Sequence, residues 1–79
     1  MSAADELRAA AKVERDEWGD ETDNYPVASA IHLALADWLD LTVETPAFRA
    51  FAEGQSGSHI GKNIRAALAV ARAINGGAS

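Results

Sequence analysis

The chain has 79 residues, no cysteine and a net charge of −5, and 48% of its residues are hydrophobic. This length allows one small domain over residues 1–79, the hydrophobic share excludes a fully disordered chain, and the lack of cysteine excludes disulfides and thiolate metal sites. The first residues do not resemble a signal peptide, and the longest apolar stretch is too short to span a bilayer, so a cytoplasmic protein without membrane contact is expected.

Charge is distributed unevenly along the chain. Residues 1–48 contain eleven acids and three bases, a net charge of −8, whereas residues 49–79 contain one acid and four bases, a net charge of +3. Regions of opposite charge attract each other within one fold or across a dimer, and net charge bears on association more than on fold. The acidic total is unlike the dominant basic surface that nucleic-acid-binding proteins usually carry.

The first predicted helix spans residues 3–18. Ser2 and Asp5 have the spacing of a capping box at its start, and Gly19 is a stop signal at its end. Apolar residues recur along one side of this helix, but Glu14 interrupts them, which predicts weaker packing in its second half.

The second predicted helix begins at Pro26, after an acidic loop over 19–25, and runs to residue 41 or 42. Its main apolar seam steps by four and three residues, which places all members on one side of a helix. The members are Val27, Ile31, Ala34, Trp38 and Leu41. A second stripe runs beside the seam and consists of Ala28, Leu35 and Leu39. Two apolar stripes are typical of a central helix, so Trp38 is predicted to lie in the core, where truncation to alanine costs about 3–5 kcal/mol.

Two further helices are predicted in the second half of the chain. A short helix over 46–53 presents Phe48 and Phe51 to one end of the fold, and a longer helix over 59–75 is capped by Ser58. The longer helix has its own seam, which consists of Ile60, Ile64, Ala67, Ala71 and Ile74. Because no strand pattern competes, the predicted fold class is all-α, a compact bundle of three main helices plus one short helix, with the second helix at the centre.

The residue types that carry catalysis or bind metals do not converge in the sequence. His32 and His59 lie in different predicted helices without a close-spaced partner. The segment 57–63 resembles a phosphate-binding loop but lacks its first glycine and its hydroxyl residue, so at most a bare anion site stays open there. The acidic run over 14–23 matches a calcium loop poorly, which leaves at most weak divalent binding. We therefore expect no enzyme, no cofactor and no catalytic or metal-binding residues.

Two charged surfaces are candidates for binding. The first is an acidic surface around a tryptophan, suited to a basic partner, and comprises Glu14, Asp16, Glu17, Trp18, Asp20, Glu21 and Asp23. The second arises if the last two helices form a helix-turn-helix over 46–75. Its candidate nucleic-acid contacts are Lys62, Asn63, Arg65 and Arg72. The alternative to a binding role is that these charged residues are simply solvated. For Trp18, the alternative is packing on the second helix.

Three segments resemble small uncharacterised alanine-rich helical proteins of actinobacteria and their phages. These segments are Glu6–Ala11, Tyr25–Leu39 and Ala67–Ile74. Members of that group often have a longer insert between the last two segments, where this chain has only residues 40–62. The resemblance implies a bacterial or phage source and a cytoplasmic location, and it supplies no catalytic residue.

The leading hypothesis is a small helical protein–protein interaction module, phage-encoded or actinobacterial, that binds a host protein or a second copy of itself. It depends on an apparent excess of apolar helical surface over what 79 residues can bury. The alternative is a nucleic-acid-binding regulator that uses residues 46–75. If the partner is a second copy of the chain, the leading hypothesis predicts a homodimer.

Overall fold

The computed structural model describes residues 2–54 and 58–77, with the backbone alone for residues 58–60. It contains four helices, which are α1 (Ala3–Trp18), α2 (Pro26–Val43), α3 (Pro46–Ala52) and α4 (Ser58–Gly77). The described part of the chain has no strand, so the all-α class with three main helices and one short helix is confirmed. The predictions made for Ile60, His59 and the loop 55–57 lie outside the described residues and side chains.

Local capping contacts define the helix ends that the sequence predicted. The Ser2 hydroxyl oxygen accepts from the Asp5 N–H at 3.1 Å, and the Asp5 carboxylate accepts from the Ser2 N–H at 3.4 Å, which completes the capping box. Thr45 caps α3 in the same way, since its Oγ1 accepts from the Phe48 N–H at 3.1 Å. At Gly19 the chain passes so close to α1 that a Cβ would lie 2.6 Å from the Arg15 carbonyl oxygen, which explains the glycine.

The central helix of the bundle is α1, and the prediction that α2 occupies this place is wrong. α1 packs against both α2 and α4, whereas α2 and α4 contact each other over a short segment only. The residues of α1 that face its neighbours are small or medium in size, with Leu7, Ala10 and Ala11 fully buried. Because alanine side chains are short, two helices approach the same side of α1 closely.

Small side chains make up much of the core. Among the described side chains, ten hydrophobic residues are buried and five of them are alanine, so the core offers less apolar area than a leucine-rich bundle of this length. The ten are Leu7, Ala10, Ala11, Ala36, Leu39, Phe48, Ile64, Ala67, Leu68 and Ala71. The described members of the α4 seam face this core, as predicted, and Phe48 with Phe51, at 6.4 Å between ring centroids, pack at one end of it.

Only one of the two apolar stripes of α2 that were predicted to be packed faces the core, and the main seam was placed wrongly. Its buried residues are Ser29, Ala36, Leu39 and Thr42. The seam that was expected to form the core instead points away from α1, and Trp38 keeps 44% of its surface exposed. Val27, Ile31, Trp38 and Leu41 therefore lie outside, and the buried residues of α2 other than Leu39 are small or polar.

Candidate interaction face on α2

All the large apolar side chains that are exposed within residues 2–54 and 61–77 belong to α2 or to its N-cap. Their exposed fractions are 59% for Tyr25, 72% for Val27, 63% for Ile31, 44% for Trp38 and 60% for Leu41. Two exposed alanines lie among them on the same side of the helix. We define the outward face of α2 as Tyr25, Val27, Ala30, Ile31, Ala34, Trp38 and Leu41. A contiguous apolar patch of this kind marks an interaction surface more often than an ordinary monomer surface.

Polar contacts from two consecutive residues of α1 hold α2 in this orientation. The Arg15 guanidinium donates to Asp37 at 2.9 Å and to Asp40 at 2.5 Å. Glu14 Oε2 lies 2.6 Å from His32 Nδ1. The two sets of contacts lie on the two borders of the side of α2 that faces α1, since His32 and Asp37 are about 140° apart around the helix. The opposite side, with Val27, Ile31, Trp38 and Leu41, remains in water.

The Arg15 contacts also neutralise the charged edge of the outward face. Hydrogen bonding to Asp37, and then to Asp40, raises the pKa of Arg15, so the guanidinium remains protonated at every accessible pH. Asp37 is exposed and lies beside Ala34 and Trp38 on the helix surface. A partner that covers the outward face therefore meets an acid that already has a counter-charge.

A second polar and aromatic cluster lies at the N-terminal end of α2. Glu14 is only 4% exposed, and the Trp18 ring stacks on the His32 ring at 4.3 Å between centroids and 8° between planes. Tyr25 meets the Trp18 ring edge-on at 6.4 Å. The cluster joins α1 to α2 through the Glu14–His32 contact and the stacked rings, and it supports Tyr25 at the N-terminal end of α2.

A groove extends the outward face at its other end. Its volume is about 360 Å³, and its lining includes Trp38 on α2, Ala47 on α3, and Asn63 and Ile64 on α4. The indole of Trp38 forms one wall, so an apolar side chain that packs on this ring also has access to the groove. The outward face is therefore a strip along α2 with a concave end.

The predicted acidic surface is only partly a surface. Glu14 is buried against His32, which corrects its assignment to an exposed patch, and Trp18 is half-buried by its stacking on His32. Asp16 pairs with Lys12 at 3.1 Å. Asp20 and Asp23 are exposed, and Glu17 and Glu21 line a shallow depression of about 260 Å³ together with Trp18 and Tyr25. Tyr25 links this depression to the outward face.

The candidate nucleic-acid contacts lie on α4 and only some of them point freely outward. Lys62, Asn63 and Arg65 are exposed. The Arg72 guanidinium instead donates to the Glu6 carboxylate at 3.0 and 3.3 Å, which ties α4 to α1. This bond lowers the pKa of Glu6 below its ordinary value and raises the pKa of Arg72.

Comparison with known proteins adds no named function. No protein-family model, curated protein or solved structure matches this chain. Within the described ranges, no three His, Cys, Asp or Glu side chains group closely enough to hold a metal ion. No helix among those ranges is both long enough and apolar enough to cross a membrane.

The sequence named the main members of the outward face but assigned them to the core, and it missed the Glu14–His32 pair. The second stripe of α2 indicates the observed orientation, because Ala28, Leu35 and Leu39 lie on the same side of the helix as Ser29 and Ala36. The small residues on that side allow close packing against the alanines of α1. The Glu14–His32 pair joins residues 18 positions apart on different helices, so no local pattern reveals it.

Proposed function

We propose that this chain is a small helical protein–protein interaction module, without catalysis of its own, that binds through the outward face of α2. The observation that supports the proposal is the collection of exposed large apolar side chains on one side of one helix. Each Å² of apolar surface removed from water contributes about 25 cal/mol, so covering this face is favourable. Trp38 and Tyr25 are of the residue types that most often dominate binding energy at interfaces.

The rigidity of the face supports the same proposal. α2 has 18 residues, and Arg15 and Glu14 hold it against α1 through contacts with three of its side chains. A surface that is already ordered loses little conformational entropy when a partner covers it. An origin in a phage or an actinobacterium and a cytoplasmic location stay predictions from the sequence.

Nucleic-acid binding by residues 46–75 stays the alternative prediction, and the contacts of Arg72 weigh against it. A guanidinium that is bonded to Glu6 is less available to a phosphate group, and electrostatic contacts to phosphates supply most non-specific affinity. The outward face itself contains no basic residue.

Photo-crosslinking in the cells that produce the protein tests the proposed function. A photoreactive amino acid replaces Ala34, at the middle of the outward face, and in a matched control it replaces Ala69, which is exposed on α4. We expect illumination to join the Ala34 variant, but not the Ala69 variant, to a protein. Cross-links of equal yield at both positions, or none at Ala34, would count against a binding role for α2.

A further inference from the structure

We propose that a second copy of this chain covers the outward face of α2, with the two α2 helices antiparallel across a two-fold axis at Ala34. The inference rests on the proposed function, since it names the partner of the same face. Three points support it, which are the spacing of the apolar residues about Ala34, the opposed helix dipoles, and the exposed apolar area.

The apolar residues of the outward face are arranged almost symmetrically about Ala34. Val27 precedes Ala34 by seven residues and Leu41 follows it by seven, while Ile31 precedes it by three and Trp38 follows it by four. In an antiparallel pair with its axis at Ala34, residues at equal distances before and after Ala34 reach the same level. Val27 then meets Leu41 of the second copy. Ile31 lies level with residue 37 of the second copy. It is therefore one residue, or about 1.5 Å along the helix axis, from the level of Trp38 of that copy.

The same arrangement matches large side chains to small ones. Ala34 would face its own copy at the axis, where short side chains allow the two helices to approach closely. Ile31 and Trp38 are seven residues apart, which places them on the same flank of α2, and a two-fold axis keeps the corresponding flanks together. Each Trp38 indole would therefore pack on an Ile31 of the second copy, and Leu41 and Val27 would close the two ends.

The helix dipoles favour the antiparallel over the parallel arrangement. A parallel pair would place like ends of the two dipoles side by side, whereas an antiparallel pair opposes them. Asp37 and Glu44 are exposed along the other edge of the face. In the antiparallel pair Asp37 lies within one residue of the level of Ala30 of the second copy, which is a small uncharged side chain.

The exposed area is sufficient for a modest dimer. At roughly 100 Å² of exposed surface for each of Val27, Ile31, Trp38 and Leu41, these side chains offer about 400 Å² per copy, or about 800 Å² for the pair. The exposed Ala30 and Ala34 add to this area, which brings the pair near the lower limit of about 1,000 Å² expected of a biological interface. Closed two-fold dimers are also the commonest soluble oligomers, and a second copy is present wherever the chain is.

Sedimentation equilibrium of the purified chain tests the association. We expect a mass of twice the 8.3 kDa chain at high concentration, and the mass of one chain for Ala34→Glu, which places two carboxylates at the axis. Ala69→Glu makes the same change on the exposed side of α4 and should keep the dimer mass. Because residues 34 and 69 are both exposed, circular dichroism should show equal helicity for all three proteins. A wild-type chain that stays at 8.3 kDa, or a dimeric Ala34→Glu variant, would overturn the proposal.

Cysteine cross-linking tests the orientation, because the chain has no native cysteine. Under mild oxidation, Ala34→Cys should form a disulfide with its own copy. Val27→Cys should form little by itself but should cross-link to Leu41→Cys in an equimolar mixture. Efficient cross-linking of Val27→Cys to itself would show a parallel pair and overturn the antiparallel arrangement.

The two sets of experiments separate failure of self-pairing from failure of the proposed function. If the purified chain is monomeric while Ala34 cross-links in cells to a different protein, self-pairing is overturned and the interaction module stands. If the purified chain is monomeric and Ala34 cross-links to nothing, both proposals fall.

Discussion

Trp38 and Leu39 are neighbours on α2 whose opposite orientations decide what each contributes to stability. Trp38 is 44% exposed, whereas Leu39 is fully buried. We expect Leu39→Ala to lower the free energy of unfolding by about 2–5 kcal/mol, as for other core leucines. Trp38→Ala should lower it by no more than about 2 kcal/mol, because only part of the indole is removed from water. Urea unfolding in the monomeric Ala34→Glu background measures both, and a larger loss at Trp38 would contradict the orientation of α2.

Glu14 and His32 form a pair in which a nearly buried carboxylate contacts a half-exposed partner. His32→Leu removes the 2.6 Å contact and leaves the Glu14 carboxylate without it, so we expect a loss of about 1–3 kcal/mol in the free energy of unfolding. The double variant Glu14→Leu/His32→Leu should regain most of this loss, because no polar side chain is then left buried without its partner. A double-mutant cycle measures the coupling, and additive effects would contradict a direct interaction.

At the scale of the helices, the Glu6–Arg72 bond joins α1 to α4 and should make stability depend on pH. The hydrogen bond from Arg72 lowers the pKa of Glu6 in the folded chain. A carboxyl with a lowered folded-state pKa adds stability above its unfolded pKa of about 4.3, and this contribution is lost as the pH falls through the lower, folded value. We expect Glu6→Gln to show a shallower loss of unfolding free energy over this acid range. Arg72→Gln, which removes the cause of the shift, should show the same shallower slope, and slopes equal to wild type would contradict the assignment.

The helix boundaries show how far local chemistry carries a prediction. The predicted and observed α1 coincide, and α3 differs by one residue, because caps, proline and glycine act within a few residues of the helix end. α4 runs to Gly77, past the predicted end at residue 75, since glycine permits a helix to stop without requiring it. The central place of α1 was not predicted, because alanine is only weakly hydrophobic and its recurrence in α1 does not mark a buried face in the sequence. In the fold, the short side chains of Ala10 and Ala11 are fully buried against the neighbouring helices.

At the scale of the whole molecule, an alanine-rich core and an uncovered apolar helix together predict stability that depends on concentration. If a second copy covers the outward face, unfolding is coupled to dissociation, and the melting temperature rises with protein concentration. We expect such a rise for wild type over an approximately 100-fold concentration range, and a lower, constant melting temperature for Ala34→Glu. Scanning calorimetry measures both, and a wild-type melting temperature that is independent of concentration would contradict the coupling.

The sequence by itself determined the all-α class, the four helices, most of their ends and the two apolar seams, because helix periodicity and capping are local properties of the chain. Only the tertiary structure decided which stripe of α2 is buried. Both stripes are apolar, so hydrophobicity does not choose between them. The observed orientation comes with contacts of Arg15 with two aspartates and of Glu14 with His32, which join residues 18 to 25 positions apart, so no local pattern reveals them. Ser29, Ala36, Leu39 and Thr42 are buried beside the short side chains of α1, and Val27, Ile31, Trp38 and Leu41 remain outside to form a surface.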